Sequence, residues 1–384
     1  MANSPRPTPD VLILGGGIIG TLCAIELARK GAVVHVLERS APGRESSWAG
    51  AGILSPIYPW NYPDALSHLV NRSLSLYPAL VEWLAEVSGT DPQHRKSGLI
   101  IPVFHTSEWA ALSGAGSWSR RFGWVMERLD RTAARTVEPC LGEDMAGGLY
   151  WPDTGQIRNP RLIRAAEAAA RHLGVVFHSG EEVIGIERRD RRVTGARTPG
   201  GHYTADKVLI ATGSWSGGVA ESAGFSLPVS PVKGQILLLK TAPGTLRRIV
   251  KHDQAYLVPR ADGRILVGAT MEMAGFDRHT TVEAMHFLFG AVRAMTPVLS
   301  GAEVEKHWMG FRPGTPDGLP FLGRAPGTDN LYVAAGHYRN GVILAPATAE
   351  AMACMIDDKT PPVALDAFAV DRQAQAHATL GLPT

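Results

Sequence analysis

The sequence predicts a mixed α/β fold in which two domains are interleaved along the chain. An apolar strand at residues 11–14 runs into a glycine-rich turn and an apolar helix, as at the start of a strand-helix-strand unit. Strand and helix patterns then continue to the C-terminus without separating into two consecutive blocks. The length of 384 residues exceeds what one hydrophobic core usually holds, which favours two domains.

The first strand-helix-strand unit carries a dinucleotide-binding pattern. Gly15 permits the tight turn, Gly17 lets the backbone approach a pyrophosphate, and Gly20 lets the helix pack close to the strand. The second strand, at residues 33–37, ends in Glu38. An acidic side chain at this point accepts the ribose hydroxyls and repels the extra phosphate of an NADP.

Composition excludes several classes of protein. A net charge of +2, with both signs interspersed, gives no basic patch for a nucleic acid or an anionic membrane. A membrane span or signal sequence across residues 11–28 is disfavoured because its three consecutive glycines are poor helix formers and no cationic segment precedes it. Three cysteines without C-x-x-C spacing suit reduced thiols in the cytoplasm. The histidines show no metal-ligand spacing, so no metal is expected.

The middle of the chain predicts elements of both kinds. After a loop at residues 40–55, apolar residues recur at helical spacing from Asp64, in two segments broken near Pro78. A helix at 161–172 precedes a series of short strands, which predict a β-meander crossing a nucleotide-binding sheet. These strands are expected at 175–177, 182–187, 192–198 and 203–211.

A second strand-turn-helix lies near the C-terminus. The strand at 331–336 ends in glycine, and a polar loop leads into an apolar helix at about 342–355. A helix N-terminus aimed at a ring system can stabilise negative charge there, which a flavin needs and a nicotinamide does not. Together with the single N-terminal fingerprint, this pattern favours FAD over NAD.

Several further sequence blocks carry a family resemblance. Together with the N-terminal glycine motif they resemble the glycine oxidase branch of the D-amino-acid oxidase family of flavoproteins, from about residue 10 to about residue 372. The blocks lie at 45–52, 231–235, 256–260, 267–271, 310–318 and 336–341.

The resemblance implies a fold and its division into domains. An FAD-binding domain of the glutathione-reductase-like kind is expected, with an interleaved antiparallel-sheet substrate domain that covers the flavin face. The FAD-binding domain is expected at residues 10–85, 145–222 and 310–372, the substrate domain at 86–144 and 223–309, and flexible tails at 1–9 and 373–384.

The resemblance also implies a substrate site. It makes Arg312 the clamp of a substrate carboxylate, Tyr256 a second carboxylate contact, and Met271 a pocket-lining residue. Arg339 is expected to touch both substrate and cofactor. From the residues alone, Arg312 could equally cap loop carbonyls, Tyr256 could be a packed aromatic side chain, and Met271 could fill the core.

A larger set is implied to bind FAD non-covalently, because no cysteine lies near the Arg312 block. Ser46 and Ser47 could instead cap a helix or a turn. Val183 is expected on the adenine side, and residues 51–53 at the flavin edge. The set comprises Gly15, Gly17, Ile18, Ile19, Gly20, Glu38, Arg39, Ser46, Ser47, Ala51, Gly52, Ile53, Val183, Gly213, His337, Tyr338, Arg339, Asn340, Gly341, Val342 and Ile343.

The activity implied is FAD-dependent oxidation of glycine, other small amines or D-amino acids, with molecular oxygen as acceptor and hydrogen peroxide as product, in thiamine biosynthesis. Three alternatives stay open at this point: a D-amino-acid dehydrogenase that passes electrons to a quinone, a sarcosine-oxidase-like enzyme, and a flavin-binding structural subunit. The aromatic run at 58–62 is expected to shape the pocket entrance or a subunit contact. Whether the chain forms a homo-oligomer is left open.

Overall fold

The computed structural model describes residues 8–56 and 58–374, so most of the two predicted tails lies outside the described residues. The strands, in chain order, are β1 Val11–Leu14, β2 Val34–Glu38, β3 Ile53–Leu54, β4 Arg95–Lys96, β5 Leu99–Val103, β6 Glu127–Leu129, β7 Gly147–Trp151, β8 Gly155–Gln156, β9 Val176–Ser179, β10 Gly185–Arg189, β11 Arg192–Thr198, β12 Gly201–Thr204, β13 Lys207–Ile210, β14 Ser230–Lys240, β15 Ile249–His252, β16 Ala255–Pro259, β17 Arg264–Gly268, β18 Glu303–Gly314, β19 Phe321–Arg324 and β20 Leu331–Ala335. The helices are α1 Ile18–Arg29, α2 Ser46–Ala49, α3 Asp64–Ser88, α4 Ala115–Phe122, α5 Arg131–Val137, α6 Asn159–His172, α7 Ser216–Ser222, α8 Val282–Met295 and α9 Gly341–Ile356.

A six-stranded sheet with the order β19-β20-β13-β1-β2-β9 forms the nucleotide-binding half. The ladders from β20 to β9 are parallel, and β19 adds an antiparallel edge. Apolar side chains from both faces of β1 are fully buried, as expected for a parallel sheet covered on both sides. Helices α1, α3, α6 and α9 cover one face, and the meander β10-β11-β12 with α7 covers the other.

The predicted break near Pro78 is wrong, because α3 is one helix of 25 residues with Pro78 inside it. Pro78 lies on the exposed side of α3. The backbone carbonyl that loses its partner there can face water, which lowers the penalty of an interior proline. The opposite side of α3, including Leu69 and Leu84, packs in the core and holds the helix together.

Two other local predictions also differ from the structure. The expected strand at 203–211 is divided between β12 and β13, which belong to different sheets. Ala205 is buried at the turn between them. The expected loop at 40–55 contains the short helix α2 and the strand β3, because β3 pairs with β8 from a distant part of the chain.

An eight-stranded sheet, with the order β18-β14-β17-β16-β15-β5-β7-β6, forms the second half. Most of its ladders are antiparallel, and α5 and α8 pack on one face. The other face turns toward the nucleotide-binding half. The predicted boundary at 145 precedes β7, and the boundary at 310 falls within β18, although both strands belong to this sheet. The division into domains stays a prediction.

Candidate active site

The first turn of the nucleotide-binding half is closed by glycine. Gly15 has a φ of +104°, which an L side chain rarely adopts. A Cβ there would lie 2.8 Å from the carbonyl carbon of Ala211, at the end of β13. The turn therefore brings the N-terminus of α1 to the point where β1 and β13 both end, the usual place for a phosphate group in such a sheet.

Glu38 and Ser47 both bond to this turn. The carboxylate of Glu38 accepts hydrogen bonds from the amides of Gly16, at 2.9 Å, and Ser40, at 3.0 Å. Ser47 Oγ accepts from the amide of Ile18 at 3.0 Å, so this serine caps the first turn of α1. The cap and the cofactor ligand are compatible roles, because the hydroxyl sits at the phosphate end of the helix.

A charged and aromatic cluster lies beside the same end of the site. Glu45 Oε1 accepts from Arg39 at 2.5 Å and from Arg278 at 2.8 Å. Burial raises the pKa of Glu45, but the hydrogen bonds from Arg278 and Arg39 outweigh it and leave the pKa below its usual value. The Arg39 guanidinium lies 3.5 Å from the ring centre of Trp215. Arg278 thereby ties the segment between β17 and α8 to the nucleotide-binding half.

The loop before α9 is fixed at both ends. The amide of Tyr338 donates to the carbonyl of Pro313 at 3.1 Å, directly after Arg312 on β18. His337 Nε2 lies 3.1 Å from Thr348 Oγ1 on α9, and burial lowers the pKa of His337 to about 3. The imidazole is therefore neutral and serves as a loop anchor.

Arg312 and Tyr256 meet on the face of the eight-stranded sheet that looks toward α1 and α9. Arg312 Nη1 donates to the carbonyl of Thr270 at 3.1 Å. The Arg312 side chain is half-buried and lines the cavity. Removal of its guanidinium from water lowers the pKa of Arg312. Burial raises the pKa of Tyr256, and the nearby Arg312 works against this effect. An arginine fork and a protonated phenol are two donors suited to one carboxylate.

Met271 organises the second arginine. Its sulfur accepts from Tyr338 Oη at 3.0 Å and from Arg339 Nη2 at 2.9 Å. A thioether is a weak acceptor, so these contacts orient Arg339 without neutralising it. Met271 therefore holds the loop before α9 in addition to lining the pocket.

Lys251 is a site residue that sequence reasoning missed. It stands directly opposite Tyr256 in the β15-β16 ladder and is 3% exposed. Its Nζ donates to the carbonyl of Asp253 and lies 4.9 Å from the ring centre of Tyr58. Burial, assisted by the positive charge of Arg339, lowers the pKa of Lys251 to about 7. The available signal in the sequence was a lysine directly after the two apolar residues Ile249 and Val250.

The aromatic run at 58–62 packs against the substrate sheet. The ring of Trp60 stacks on Trp151 of β7, with ring centres 6.2 Å apart, and its Nε1 donates to the carbonyl of Ala111 at 3.3 Å. Burial raises the pKa of Tyr58 and of Tyr62 to about 12 in each case. Both phenols are thus neutral at physiological pH, and Arg339 is the nearby positive charge.

One continuous cavity runs from the glycine turn and Glu38 to Arg312 and Tyr256, and residues 58–62 are not among those that line it. Of the residues predicted for cofactor and substrate, all except Gly20 and Asn340 line it. Gly20 packs under the turn, where a Cβ would lie 3.2 Å from the carbonyl carbon of Gly15. Asn340 is buried and accepts at its backbone carbonyl from the amide of Leu344 at 2.9 Å, within the start of α9. Other lining residues that the sequence did not indicate include Arg44, Asn159, Trp215 and Gln254.

A family model described as FAD dependent oxidoreductase matches residues 10–355, nearly the whole of both halves. The chain belongs to this FAD-dependent oxidoreductase family. It is therefore an oxidoreductase with FAD as its cofactor, as the sequence predicted.

Individual members of the family are similar to the chain over most of its length. The chain is 39% identical to a glycine oxidase of Pseudomonas putida, over 92% of this chain and 95% of that protein. It is also 39% identical to a bifunctional protein ThiO/ThiG of Synechocystis, over 96% of this chain but 54% of that protein. The crystal structure of glycine oxidase from Geobacillus kaustophilus superposes with a TM-score of 0.90 at 33% identity, covering 95% of this chain and 99% of that one.

The cavity fits FAD by its own chemistry. At one end a helix N-terminus and close-approach glycines suit a pyrophosphate, and Glu38 suits a ribose. At the other end the segment 51–53 is held by Gly52, whose φ is +69° and whose Cβ would lie 2.5 Å from Asn159 Oδ1. A backbone edge without a side chain is what a flat ring needs for close approach.

The described part of the chain holds neither a metal-binding cluster nor a membrane-spanning helix. Among residues 8–56 and 58–374, no group of three or more His, Cys, Asp or Glu side chains could hold a metal ion. No helix in the described part of the chain is long and apolar enough to cross a membrane.

Proposed function

We propose that this FAD-dependent oxidoreductase oxidises glycine, and other small amines or D-amino acids, to the corresponding imine. Hydrolysis of the imine gives an α-keto acid and ammonia, and oxygen takes the electrons to give hydrogen peroxide. The observation that carries the proposal is the pair of Arg312 and Tyr256, placed together on the cavity wall opposite α1 and α9. Such a pair selects a ligand with a carboxylate.

The residues of the chain bind and orient the substrate. Arg312 and Tyr256 would hold its carboxylate, and Arg339 would add a second positive charge at the same end of the cavity. When bound, FAD supplies the hydride acceptor. With a pKa of about 3 and its Nε2 bonded to Thr348, His337 is too weak a base to take a proton at neutral pH, so positioning is the main contribution of the protein.

We also place the reaction in the thiazole branch of thiamine biosynthesis, in the cytoplasm. The similarity to proteins named ThiO/ThiG supports the pathway. Cys23 and Cys140 are buried free thiols, and burial raises the pKa of Cys140 to about 11, which suits a reducing compartment.

An oxygen-electrode panel over glycine, sarcosine, D-alanine and D-proline tests the proposal. We expect steady oxygen uptake with stoichiometric peroxide, and the highest kcat/KM for glycine. Reduction of bound FAD by these amines without oxygen uptake, relieved by an added quinone, would identify a D-amino-acid dehydrogenase instead. A preference for sarcosine would identify a sarcosine-oxidase-like enzyme, and no reduction by any amine would leave a flavin-binding subunit.

A further inference from the structure

Arg260 follows β16 and is almost completely buried, at 7% exposure. Its Nη1 donates to Gln156 Oε1 at 2.6 Å and to the carbonyl of Ile157 at 3.2 Å. Its Nη2 donates to the carbonyl of Ala51 at 2.7 Å. One guanidinium thus joins the end of β16 to the segment after β8 and to the backbone that lines the cavity at Ala51.

The segment held by Arg260 is also fixed from other directions. The amide of Ile157 donates to the carbonyl of Gly52 at 2.8 Å, and Ile53 pairs with Gln156 in the β3-β8 ladder. Asn159 Nδ2 donates to the carbonyl of Ser47 at 2.9 Å. The backbone from Ser47 to Ile53 therefore has very little freedom, and Arg260 is the only charged group bonded to it within the described residues.

Among residues 8–56 and 58–374, no carboxylate forms an ion pair with Arg260. The nearby Asp262 bonds instead to Arg158 at 2.8 Å and to Arg264 at 3.1 Å. Burial, with repulsion from Arg158, lowers the pKa of Arg260 to about 9, so the guanidinium is still charged at neutral pH. Its buried Nε has no hydrogen-bond partner in the part of the chain that the structure describes. A neutral donor could bond the same carbonyls at a smaller desolvation penalty. Hydrogen bonding alone therefore does not account for a charged side chain at this position.

The peptide unit whose carbonyl bonds to Arg260 has an unpaired N–H among the described residues. Its carbonyl belongs to Ala51 and its N–H to Gly52, so both are parts of one conjugated amide. Across residues 8–56 and 58–374, the Gly52 N–H has no acceptor, and Gly52 lines the cavity. A hydrogen bond from a cation to a carbonyl polarises the amide and makes its N–H a stronger donor.

We propose that Arg260 is a positioning residue for the flavin: through the Ala51 carbonyl it fixes and polarises the Ala51–Gly52 peptide, whose N–H is the donor to the isoalloxazine edge. This proposal rests on the proposed function in one respect, which is that FAD binds in the cavity with its ring at residues 51–53; it does not depend on which amine is the substrate. The field of a buried cation behind this peptide favours negative charge on the ring and therefore raises the midpoint potential of bound FAD.

The test compares Arg260→Met and Arg260→Lys with wild type as purified holoenzymes, without any amine substrate. Arg264→Met is the matched control, because Arg264 lies on the same hairpin but pairs with Glu305 at 2.7 Å and with Asp262. The readouts are FAD dissociation constant, visible spectrum and midpoint potential. We expect at least about tenfold weaker FAD binding, an altered spectrum and a lower potential in Arg260→Met, partial recovery of potential in Arg260→Lys, and no change in the control.

The proposal is overturned if Arg260→Met folds and matches wild type in spectrum and potential. If Arg260→Met does not fold, Arg260→Lys decides, because one ammonium cannot replace a fork that bonds three acceptors. A Lys variant equal to wild type in FAD affinity and spectrum would also overturn it. Failure of wild type to oxidise glycine would refute the proposed substrate but leave these readouts interpretable.

Discussion

Gly234 on β14 lies directly against the guanidinium of Arg312 on the neighbouring strand β18. A Cβ on Gly234 would come within 2.5 Å of Arg312 Nη2 and 2.6 Å of its Cζ. The same relationship holds for the second carboxylate contact, since a Cβ on Gly268 would lie 2.5 Å from Tyr256 Oη. Two glycines therefore leave the space that the proposed substrate clamp occupies, and each lies in one of the sequence blocks that carry the family resemblance.

Gly234→Ala should displace the Arg312 guanidinium and weaken substrate binding. We expect kcat/KM for glycine to fall by roughly tenfold or more, which corresponds to about 1.4 kcal/mol. FAD content should not change, because the atoms that a Cβ on Gly234 would meet belong to Arg312 and not to the glycine turn or Glu38. Gly290→Ala on α8 is the control, since a Cβ there meets nothing within 4 Å. Equal kinetics of the two variants would show that Arg312 does not need its observed position.

Glu38→Gln should weaken FAD binding. The variant keeps the size of the side chain but loses the charge that strengthens the bonds to the Gly16 and Ser40 amides and to a ribose. Charged hydrogen bonds contribute roughly 1.5 to 3 kcal/mol each, so we expect the dissociation constant to rise by about tenfold or more. Fluorescence titration of apoprotein with FAD measures it. Glu26→Gln, an exposed pair with Arg29 on α1, should leave it unchanged.

Lys251 should make stability depend on pH. Its pKa is about 7 in the folded protein and about 10.4 in an unfolded chain. Between these values the unfolded state binds more protons, so the free energy of unfolding rises with pH. At and below pH 7 the full penalty of burying the charge is present. Lys251→Met should therefore raise Tm most near pH 6, and the gain should shrink as pH rises toward 10.

Thermal unfolding of the holoenzyme across this pH range is the measurement. One pKa unit corresponds to about 1.4 kcal/mol, so the gain near pH 6 should amount to a few kcal/mol. Lys240→Met, at an exposed pair with Glu303, should shift Tm little at every pH. A gain for Lys251→Met that is constant with pH would mean that Lys251 is not buried in its charged form.

Acid precipitation should release intact FAD and leave colourless protein. Covalent attachment of a flavin by a cysteine needs a thiol at the cavity wall, and none of the three cysteines lines it. Chromatography of the supernatant against authentic FAD measures the yield. Yellow colour that stays with the pellet would contradict non-covalent binding.

The nucleotide end of the site could be predicted from the sequence because its signals are local. Gly15, Gly17 and Glu38 lie within one strand-helix-strand unit, and their roles follow from backbone conformation and chain direction. The predicted helix at 342–355 is found as α9. The proposed roles of Arg312, Tyr256 and Arg339 came from the family resemblance, because these residues lie on separate strands and a loop that only the fold brings together.

The residues that sequence reasoning missed depend on contacts between distant segments. Arg260 stood within a recognised block, but its partner Ala51 is 209 residues away. In the sequence Lys251 is one polar residue among short apolar stretches, and only the sheet places it in an interior strand, opposite Tyr256. The break expected at Pro78 was wrong for a similar reason, because packing of α3 against α6 and α9 outweighs the local effect of proline.

Reduction of bound FAD by glycine in Arg312→Ala, followed by anaerobic stopped-flow absorbance, tests the central claim most directly. If Arg312 holds the substrate carboxylate, removing it should lose on the order of 3 to 5 kcal/mol of binding, so the apparent Kd should rise by at least about a hundredfold. FAD content and Tm should stay near those of wild type, and Arg312→Lys should recover little because an ammonium lacks the planar fork. An apparent affinity for glycine equal to that of wild type would contradict the account, reduce Arg312 to a structural role and move the carboxylate site to Arg339.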